Sequence, residues 1–213
     1  MTTSSAVKAM RLESDLPPKQ EHLVWATYRE ISDHGADRTS LQEIAKRAGV
    51  SKAMILYYFG SKNRLLLETM RWVLSRTEAR IRMAIDNVTE PRNRILALLD
   101  EVFSAPEVNR RFYLVYIDLL HHAARDPEFG ELNATFRSIV NGLYEEVIVA
   151  GTTAGAFTAP DPTAAAEVMR AIIDGLFTQW LQEPEWRSSH AGYREQCKRA
   201  VMVYLQATTK RET

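Results

Sequence analysis

The side chains best placed to do chemistry lie in one short stretch, residues 51–59, with the sequence SKAMILYYF. Wound as a helix at about 100° per residue, this stretch turns Ala53 and Tyr57 away from Ile55 and Phe59. The outward face carries a methyl, a thioether, an isobutyl group, a phenol and one ammonium, whereas a solvated helix normally shows charged and polar groups. In the major groove of B-DNA, small and apolar groups pack on thymine methyls, and lysine or tyrosine reaches base acceptors and phosphates. This composition therefore favours a helix that lies in a DNA groove.

Two further helices must hold this face in position. The preceding stretch has an apolar stripe of helical period, formed by Leu41, Ile44, Ala45 and Ala48. Ser40 and Glu43 have the spacing of a capping box, so we expect this helix to begin near Ser40. Gly49 is expected to end it, because glycine adopts the left-handed cap conformation without a Cβ clash, and Ser51 can cap the next helix. A third helix is expected to start at Lys62, where helix amides and the ammonium favour a phosphate.

Residues 44–62, IAKRAGVSKAMILYYFGSK, resemble the helix-turn-helix of TetR-family transcriptional regulators, and the ending YFGSK resembles the BetI-type branch. The resemblance begins near Lys19 and is specific through the helix-turn-helix; beyond residue 90 it rests on helix layout and on the run AIIDGLFTQWL. Leu56 stands where many members carry tyrosine, and Asn63 where many carry glutamate. The DNA-binding residues expected from the outward face and the resemblance are Thr39, Ser40, Ser51, Lys52, Ala53, Met54, Tyr57, Tyr58 and Lys62.

A helix-turn-helix shape by itself does not establish DNA binding, since many helical proteins contain one. Tyr58 has an alternative role as half-buried packing and Met54 as ordinary surface, which leaves Lys52 and Tyr57 as the main candidates. Net charge is zero, but residues 1–94 contain 16 Lys and Arg against 11 Asp and Glu, and residues 95–213 contain 11 against 16. Positive charge is thus concentrated in the half with the helix-turn-helix, as expected of a nucleic-acid-binding face.

Length and cysteine content indicate the broad class of protein. A chain of 213 residues can bury a core without disulfides, and the single Cys197 excludes an internal one. We expect Cys197 to be a small buried hydrophobe rather than a reactive thiol. The sequence contains no apolar run of about eighteen residues and no N-terminal signal pattern. The expected location is therefore the cytoplasm, with no membrane partner.

Helical patterns continue along the chain, and no alternating strand pattern interrupts them. The predicted fold is all-α, with about nine helices. Residues 1–18 are expected to form a flexible N-terminal arm, because they have few large apolar groups and end in Pro17-Pro18. We assign residues 19–66 to a helix-turn-helix DNA-binding domain and residues 67–213 to a helical ligand-binding and dimerisation domain. The helix from Lys62 is expected to reach about Asn87 and to break at Val88–Pro91.

Aromatic side chains recur at helical spacing in the second domain. Such stripes are usually core, but buried tyrosine hydroxyls need partners, and a ligand cavity would supply one. A carboxylate among aromatic rings suits a quaternary ammonium ion through cation–π contacts, so a cationic small-molecule effector is one alternative. The adjacent His121 and His122 point about 100° apart on a helix, so no metal site is expected. The expected ligand-binding residues are Trp72, Phe103, Tyr113, Tyr116, Asp118, His121, Phe136, Tyr144 and Phe177.

The last two predicted helices carry more apolar surface than a small domain easily hides, which favours a subunit interface. The resemblance of AIIDGLFTQWL to the BetI-type branch implies a four-helix dimer interface made with the final helix. Burial within a single chain is the alternative. The expected dimer-interface residues are Ile173, Leu176, Trp180, Val201, Tyr204 and Leu205.

Together these features predict a homodimeric TetR-family repressor that a small-molecule inducer releases from a palindromic operator. Its recognition helices would enter successive major grooves, about 34 Å apart. An enzyme is the rival class, but the chain has no G-x-S-x-G elbow, no P-loop and no H-E-x-x-H, so no catalytic residue and no cofactor are expected. A further alternative is a helical small-molecule-binding protein, or an enzyme, that retains an unused helix-turn-helix. Sequence-specific binding to the DNA that flanks the gene distinguishes these classes.

Overall fold

Nine helices, and no strand, form the part of the chain that the computed structural model describes, residues 15–159 and 161–207. The all-α prediction is thereby confirmed. None of these helices is both long and apolar enough to cross a bilayer. Residues 1–14 of the predicted N-terminal arm lie outside the described residues. The helices are α1 (Pro18–His34), α2 (Leu41–Ala48), α3 (Lys52–Phe59), α4 (Lys62–Asp86), α5 (Pro91–Val102), α6 (Pro106–Ala123), α7 (Pro127–Thr153), α8 (Pro162–Trp180) and α9 (Trp186–Ala207).

The two helices of the helix-turn-helix, α2 and α3, have the predicted cap residues. The Ser40 hydroxyl accepts a hydrogen bond from the Glu43 backbone N–H at 3.1 Å, and the Ser51 hydroxyl accepts one from the Met54 N–H at 3.2 Å. Each bond satisfies a donor that the first helical turn leaves unpaired. Gly49 ends α2 in the left-handed conformation, with φ of +66°. The turn between α2 and α3 is therefore set by local chemistry.

The described residues group into two compact units. The recognition unit comprises residues 15–77 and 110–136, and the C-terminal unit comprises residues 78–109, 137–159 and 161–207. Three helices, α4, α6 and α7, contribute residues to both units. The division at residues 66 and 67 that the sequence suggested stays a prediction.

The core of the recognition unit includes the inward faces of the helix-turn-helix. Ile44 of α2 and Ile55 of α3 have no exposed surface. Beside them, the buried Glu30 of α1 pairs with Arg47 of α2, whose guanidinium also lies 2.8 Å from Asp33. A buried carboxylate is costly unless a cation and hydrogen bonds compensate for its lost hydration, and Arg47 provides both. This ion pair fixes α2 against α1.

An aromatic cluster joins α1 to α4 within the same unit. The ring centroids of Trp25 and Tyr28 lie 5.9 Å and 6.3 Å from that of Trp72. The Trp72 indole N–H donates to the Glu21 carboxylate at 3.2 Å. Arg76 binds the same carboxylate, and its guanidinium lies 4.6 Å from the Trp72 ring centroid. These bonds, first from Arg76 and then from Trp72, hold the pKa of Glu21 below its ordinary value.

The core of the C-terminal unit is also rich in aromatic rings. Phe103 and Phe177 stack with their centroids 4.1 Å apart. The His190 imidazole lies 5.0 Å from the Trp180 ring centroid, and its Nε2 lies 2.8 Å from Asn109 Oδ1. Burial lowers the pKa of His190 from its ordinary 6.5. At neutral pH the ring is therefore neutral and acts as a buried hydrogen-bonding group.

The loop between α7 and α8 packs closely against α7 and α9. A Cβ atom at Gly151 would lie 2.0 Å from the Phe157 ring, so only glycine lets this ring approach. Further along, the backbone N–H and the hydroxyl of Thr158 both donate to the Leu205 carbonyl at 3.0 Å. These bonds satisfy a carbonyl in the last turn of α9.

Cys197 of α9 has no exposed surface. Burial raises the pKa of its thiol to about 12, so the group stays protonated at neutral pH. The prediction of a small buried hydrophobe is confirmed.

Candidate DNA interface and effector cavity

The face of α3 singled out by its composition is uncovered in the structure. Ile55 and Phe59 point into the core of the recognition unit, whereas Tyr57 is 83% exposed. Lys52 and Ala53 are exposed as well. Helical geometry thus separates an anchoring face from a free face within eight residues.

Three neighbours of Tyr57 refine the composition of this face. Tyr58 is half-buried, and its ring meets the Tyr57 ring edge to face at a centroid distance of 5.1 Å. Met54 and Leu56 are both exposed large apolar residues. Leu56 was missing from the predicted contact set, although its apolar side chain beside Tyr57 was a usable signal. The exposed face therefore combines Met54, Leu56 and Tyr57 with a lysine.

Thr39 needs a correction. Its hydroxyl donates to the Gly35 carbonyl at 2.8 Å, and the residue is 1% exposed. A side chain without accessible surface has none to offer a phosphate, so Thr39 fixes the loop before α2 in this conformation. Ser40, in contrast, is exposed and caps α2. The residue type suggested a contact, but the fold uses the hydroxyl internally.

Lys62 is half-buried at the start of α4, where its ammonium donates to the Ala36 carbonyl at 3.0 Å. It therefore ties α4 to the loop between α1 and α2. Ser51 combines two properties: its oxygen accepts the capping bond from Met54, and its residue is exposed. A hydroxyl that accepts a capping bond still has its own proton to donate, so Ser51 keeps a donor for a phosphate.

The predicted ligand-binding residues are divided between the two units. Trp72, Tyr113, Tyr116, Asp118, His121 and Phe136 lie in the recognition unit, and Phe103, Tyr144 and Phe177 lie in the C-terminal unit. Of the second group, Phe103 and Phe177 have no exposed surface and stack on each other, and Tyr144 is buried in the same unit. Phe103 and Phe177 are therefore core residues, which is the usual role of aromatic side chains at helical spacing.

Three predicted ligand-binding residues of the recognition unit also have other roles. Trp72 belongs to the aromatic cluster described above and donates to Glu21. The Asp118 carboxylate accepts a hydrogen bond from the Ala36 backbone N–H at 2.7 Å. His121 is exposed, with its Nδ1 3.2 Å from Arg125 Nη1. That these three side chains line a ligand pocket together stays a prediction.

The remaining aromatic residues do come together. Tyr116 is surrounded by the rings of Phe112, Tyr113 and Phe136, at centroid distances of 5.7, 6.1 and 5.9 Å. Its hydroxyl lies 3.5 Å from the Asn133 side-chain oxygen. Ring faces at this spacing are suited to a cation, although here they pack on one another.

A small cavity adjoins these rings within the recognition unit, between α4 and α6. Its volume is about 10 Å³, which is room for a single water molecule. Tyr116 is the one predicted ligand-binding residue that lines it. The lining residues are Met70, Val73, Leu74, Phe112, Val115, Tyr116 and Leu119. Small-molecule pockets usually measure about 300–1,000 Å³, so in this conformation the cavity is closed to a ligand, in the sense that it is too small to hold one.

The histidine pair of α6 does not form the geometry of a metal site. His121 and His122 meet edge to face with their ring centroids 5.7 Å apart. Across the residues that the structure describes, no group of three or more His, Cys, Asp or Glu side chains is placed to hold a metal ion.

Two family models match the chain. Residues 91–206 match the model described as "BetI-type transcriptional repressor, C-terminal", which is more than half of the sequence. Residues 23–69, which contain the capped helices and the exposed face of α3, match "Bacterial regulatory proteins, tetR family". The chain belongs to the TetR family of transcriptional regulators and is of the BetI type. The resemblance stated from the sequence is confirmed.

Relatives of this TetR-family regulator carry the same description. The HTH-type transcriptional regulator BetI of Rhizobium meliloti is 32% identical over 161 residues, which cover 76% of this chain and 77% of that protein. The HTH-type transcriptional regulator BetI of Stenotrophomonas maltophilia is 29% identical over 168 residues, covering 78% and 81%. These shares agree with the family models, which together match both the helix-turn-helix and the helices from α5 onward.

Solved structures share the fold of the TetR-family regulator. A protein from Saccharomonospora viridis, crystallised in complex with choline, superposes with a TM-score of 0.80 at 22% identity, covering 85% of this chain and 94% of that one. A TetR transcription regulator from Haloarcula marismortui has a TM-score of 0.78 at 25% identity, covering 89% and 97%.

In this TetR-family regulator the predicted dimer-interface residues are mostly internal. Ile173, Leu176 and Trp180 of α8 are buried within the chain, and so are Val201 and Leu205 of α9. This differs from the prediction, because a side chain that the chain itself covers has little surface for a second subunit. Only the sixth predicted residue, Tyr204, keeps partial exposure. The hydrophobic pattern therefore identified residues on the faces of α8 and α9 that point into the core, and not residues on their exposed faces.

Proposed function

We propose that this TetR-family regulator is a homodimeric repressor that binds a palindromic operator and is released by a small quaternary ammonium compound. The observation that carries the first part is the free face of α3, where a phenol that is 83% exposed stands beside an exposed thioether and an isobutyl group. Exposing such groups has no benefit for the fold, and together with Lys52 they suit the thymine methyls, base acceptors and phosphates of a major groove.

DNA binding is tested by titrating a labelled duplex from the DNA that flanks the gene, followed by footprinting. A repressor dimer should protect two half-sites whose centres are about one helical turn apart and should prefer this duplex over scrambled DNA of equal length. Equal, strongly salt-dependent affinity for both duplexes would indicate non-specific binding only. That result would favour a helical ligand-binding protein with an unused helix-turn-helix.

The proposed dimer uses the outward faces of α8 and α9. On α8 an exposed stripe at helical spacing contains the small or apolar residues Val168, Ala171 and Gly175. On α9, Val203 is 64% exposed. Small residues let two helices approach closely, and apolar ones gain free energy when a second copy covers them. Sedimentation of the full chain tests this proposal, with a dimer as the expected species.

The proposed effector is choline or a compound of similar chemistry. The relatives are named BetI, and the structural neighbour from Saccharomonospora viridis was crystallised with choline. The rings around Tyr116 pack on one another in this structure, and once they separate their faces would offer the cation–π surface that a quaternary ammonium requires. Because the adjoining cavity is about 10 Å³, binding there requires α4 and α6 to separate. Titration calorimetry with choline, and with its uncharged isostere 3,3-dimethylbutanol as control, tests both the ligand class and the role of its charge.

The regulator is proposed to act without catalysis, since the relatives above are named as transcriptional regulators. Its proposed location is the cytoplasm, where a bacterial operator is found.

A further inference from the structure

In the loop between α1 and α2, both backbone polar groups of Ala36 form hydrogen bonds with charged side chains. The Ala36 backbone N–H donates to Asp118 of α6 at 2.7 Å, and the Ala36 carbonyl accepts from the Lys62 ammonium at 3.0 Å. Asp118 lies 82 positions away in sequence. Hydrogen bonds to an ionised carboxylate are shorter and stronger than neutral ones, so this is a firm attachment of α6 to the loop.

The loop leads directly into the helix-turn-helix. Gly35 has a φ of +82°, and its carbonyl accepts from both the backbone N–H and the hydroxyl of Thr39. The next residue, Ser40, caps α2. A displacement of Ala36 is therefore passed on to the start of α2, and α2 and α3 are joined by a turn of only three residues, 49–51.

A second carboxylate attaches the region after α6 to the start of α4. The Asn63 amide donates to Asp126 at 3.2 Å. Asn63 is one of the two positions where the sequence departs from the family pattern, in which many members carry glutamate. A glutamate at position 63 would place a second negative charge beside Asp126, whereas the neutral Asn63 donates a hydrogen bond to it.

The same segment of α6 lines the closed cavity. Val115 and Leu119 lie on one side of Asp118 on the helix surface and, with Phe112 and Tyr116, form one wall of the cavity, whose other wall is α4. Asp118 does not line it. A ligand that enlarges a cavity of about 10 Å³ has to move α6 away from α4, and Asp118 moves with its helix.

We propose that Asp118 is a positioning residue that couples the effector cavity to the DNA-binding helices through its hydrogen bond to Ala36. With the cavity closed, the bond holds the loop and hence α2 and α3 in one orientation; opening the cavity breaks the bond and releases them. This inference rests on the proposed function for its ligand and deepens it, since it names the contact by which occupancy reaches the operator-binding face. Coupling of this kind requires that the ligand binds the open conformation more tightly than the closed one.

The test compares full-length Asp118→Ala and Asp118→Asn with wild type, with Glu131→Ala as the matched control. Asparagine keeps an acceptor oxygen for Ala36, and Glu131 is an exposed carboxylate of α7 in the same unit. Operator affinity is measured by fluorescence anisotropy with and without saturating choline, and choline affinity by calorimetry. Hydrogen exchange is followed in peptides that cover residues 36–59, and circular dichroism monitors folding.

We expect Asp118→Ala to bind the operator about tenfold more weakly than wild type, which is the loss expected for one charge-assisted hydrogen bond. Choline should change its operator affinity by less than about twofold, because the coupling step has already occurred, and choline should bind at least as tightly as to wild type. Residues 36–59 should exchange faster. Asp118→Asn should stay within about threefold of wild type in operator affinity, and Glu131→Ala should match wild type.

Three results would overturn the inference: unchanged operator affinity and exchange in Asp118→Ala, loss of choline binding in that variant, or an Asp118→Asn variant as impaired as Asp118→Ala. Failure of the proposed effector has a different signature, since wild type itself would not respond to choline. In that case faster exchange of residues 36–59 in Asp118→Ala, with wild-type exchange in Asp118→Asn and Glu131→Ala, still supports the coupling. Should Asp118→Ala not fold, hydrogen exchange and operator affinity are measured in Asp118→Asn instead. Wild-type values of both quantities support the role of the acceptor oxygen, and a full loss of operator affinity contradicts it.

Discussion

Tyr57 shows most directly how a single residue connects sequence and function. The residue is 83% exposed on a helix whose opposite side, at Ile55 and Phe59, is buried. A phenol contributes to folding mainly through burial of its ring, and this one buries little. The residue therefore contributes little to the stability of the free chain, and its role has to be sought in what the face contacts.

Substitution of Tyr57 by alanine is expected to weaken operator binding about tenfold, or about 1.4 kcal/mol, while the free energy of unfolding changes by less than about 0.5 kcal/mol. Anisotropy titration and urea unfolding measure the two quantities. Met83→Ala provides the control, since Met83 is also a highly exposed large side chain but lies in the C-terminal unit. Equal operator affinity of Tyr57→Ala and Met83→Ala would contradict the proposal that this face of α3 contacts DNA.

At the scale of the element, α3 is short enough that its caps matter. Helices of about twelve residues or fewer are marginal in isolation, and α3 has eight. Its start depends on the Ser51 hydroxyl, and its attachment depends on Ile55 and Phe59. The cap also stands at the exposed end of α3, where we propose that a DNA phosphate approaches, so in this proposal one hydroxyl serves both capping and DNA binding.

These two uses of Ser51 can be separated by two variants. Ser51→Ala removes the cap and is expected to lower the free energy of unfolding by about 1 kcal/mol and to weaken operator binding. Ser51→Asp should restore stability, because aspartate is a good N-cap, but should weaken operator binding further, because its charge repels phosphate. Thermal unfolding and anisotropy give the comparison. If Ser51→Asp bound the operator as well as wild type, Ser51 would not lie near the DNA backbone.

The loop between α7 and α8 carries a second test at this scale. Gly151→Ala would place a Cβ atom 2.0 Å from the Phe157 ring, so the ring or the loop must shift, and we expect a loss of about 1–3 kcal/mol in the free energy of unfolding. Gly192→Ala in α9 is the matched control, because a Cβ there meets no atom within 4 Å, and a small gain of about 0.5–1 kcal/mol is expected from helix propensity. Equal stability of the two variants in urea would show that Phe157 packs elsewhere.

The elements divide into those that local sequence predicts and those that it does not. The capped ends of α2 and α3 were predictable, because Ser40, Gly49 and Ser51 act on backbone groups within four residues of themselves. The attachment of Asp118 to Ala36 was not, because it joins residues 82 positions apart, and a carboxylate among aromatic residues suggested a ligand instead.

The same distinction explains where the structure differs from the aromatic and dimer predictions. Periodicity shows that a helix has an apolar face, but not what covers that face. Phe103 and Phe177 were expected to contact a ligand, yet they cover each other. Trp180 was expected to contact a partner subunit, yet its own chain covers it. In each case the choice between core, cavity and interface depends on tertiary packing.

At the scale of the whole molecule, recognition of a palindrome requires two copies of the chain, because one eight-residue helix reads only one half-site. Linking two half-site contacts raises affinity through effective concentration, provided that their spacing fits the DNA. In the proposed dimer, the surface that joins the copies is therefore part of the DNA-binding function. The buried residues of α8 and α9 cannot form that surface, so the exposed Val168 and Val203 are the proposed contacts.

Val203→Glu tests this proposal for the whole molecule. The residue is 64% exposed in the single chain, so a glutamate is tolerated by the fold, and the free energy of unfolding of the isolated chain should change by less than about 0.5 kcal/mol. In a dimer, the same change buries an unpaired charge, so sedimentation velocity should show a monomer at concentrations where wild type is a dimer. Operator affinity should fall by about a hundredfold, because two linked half-site contacts become one. Val149→Glu, which alters an exposed valine of α7, should sediment and bind as wild type; a Val203→Glu variant that does the same would place the dimer contact away from this face of α9.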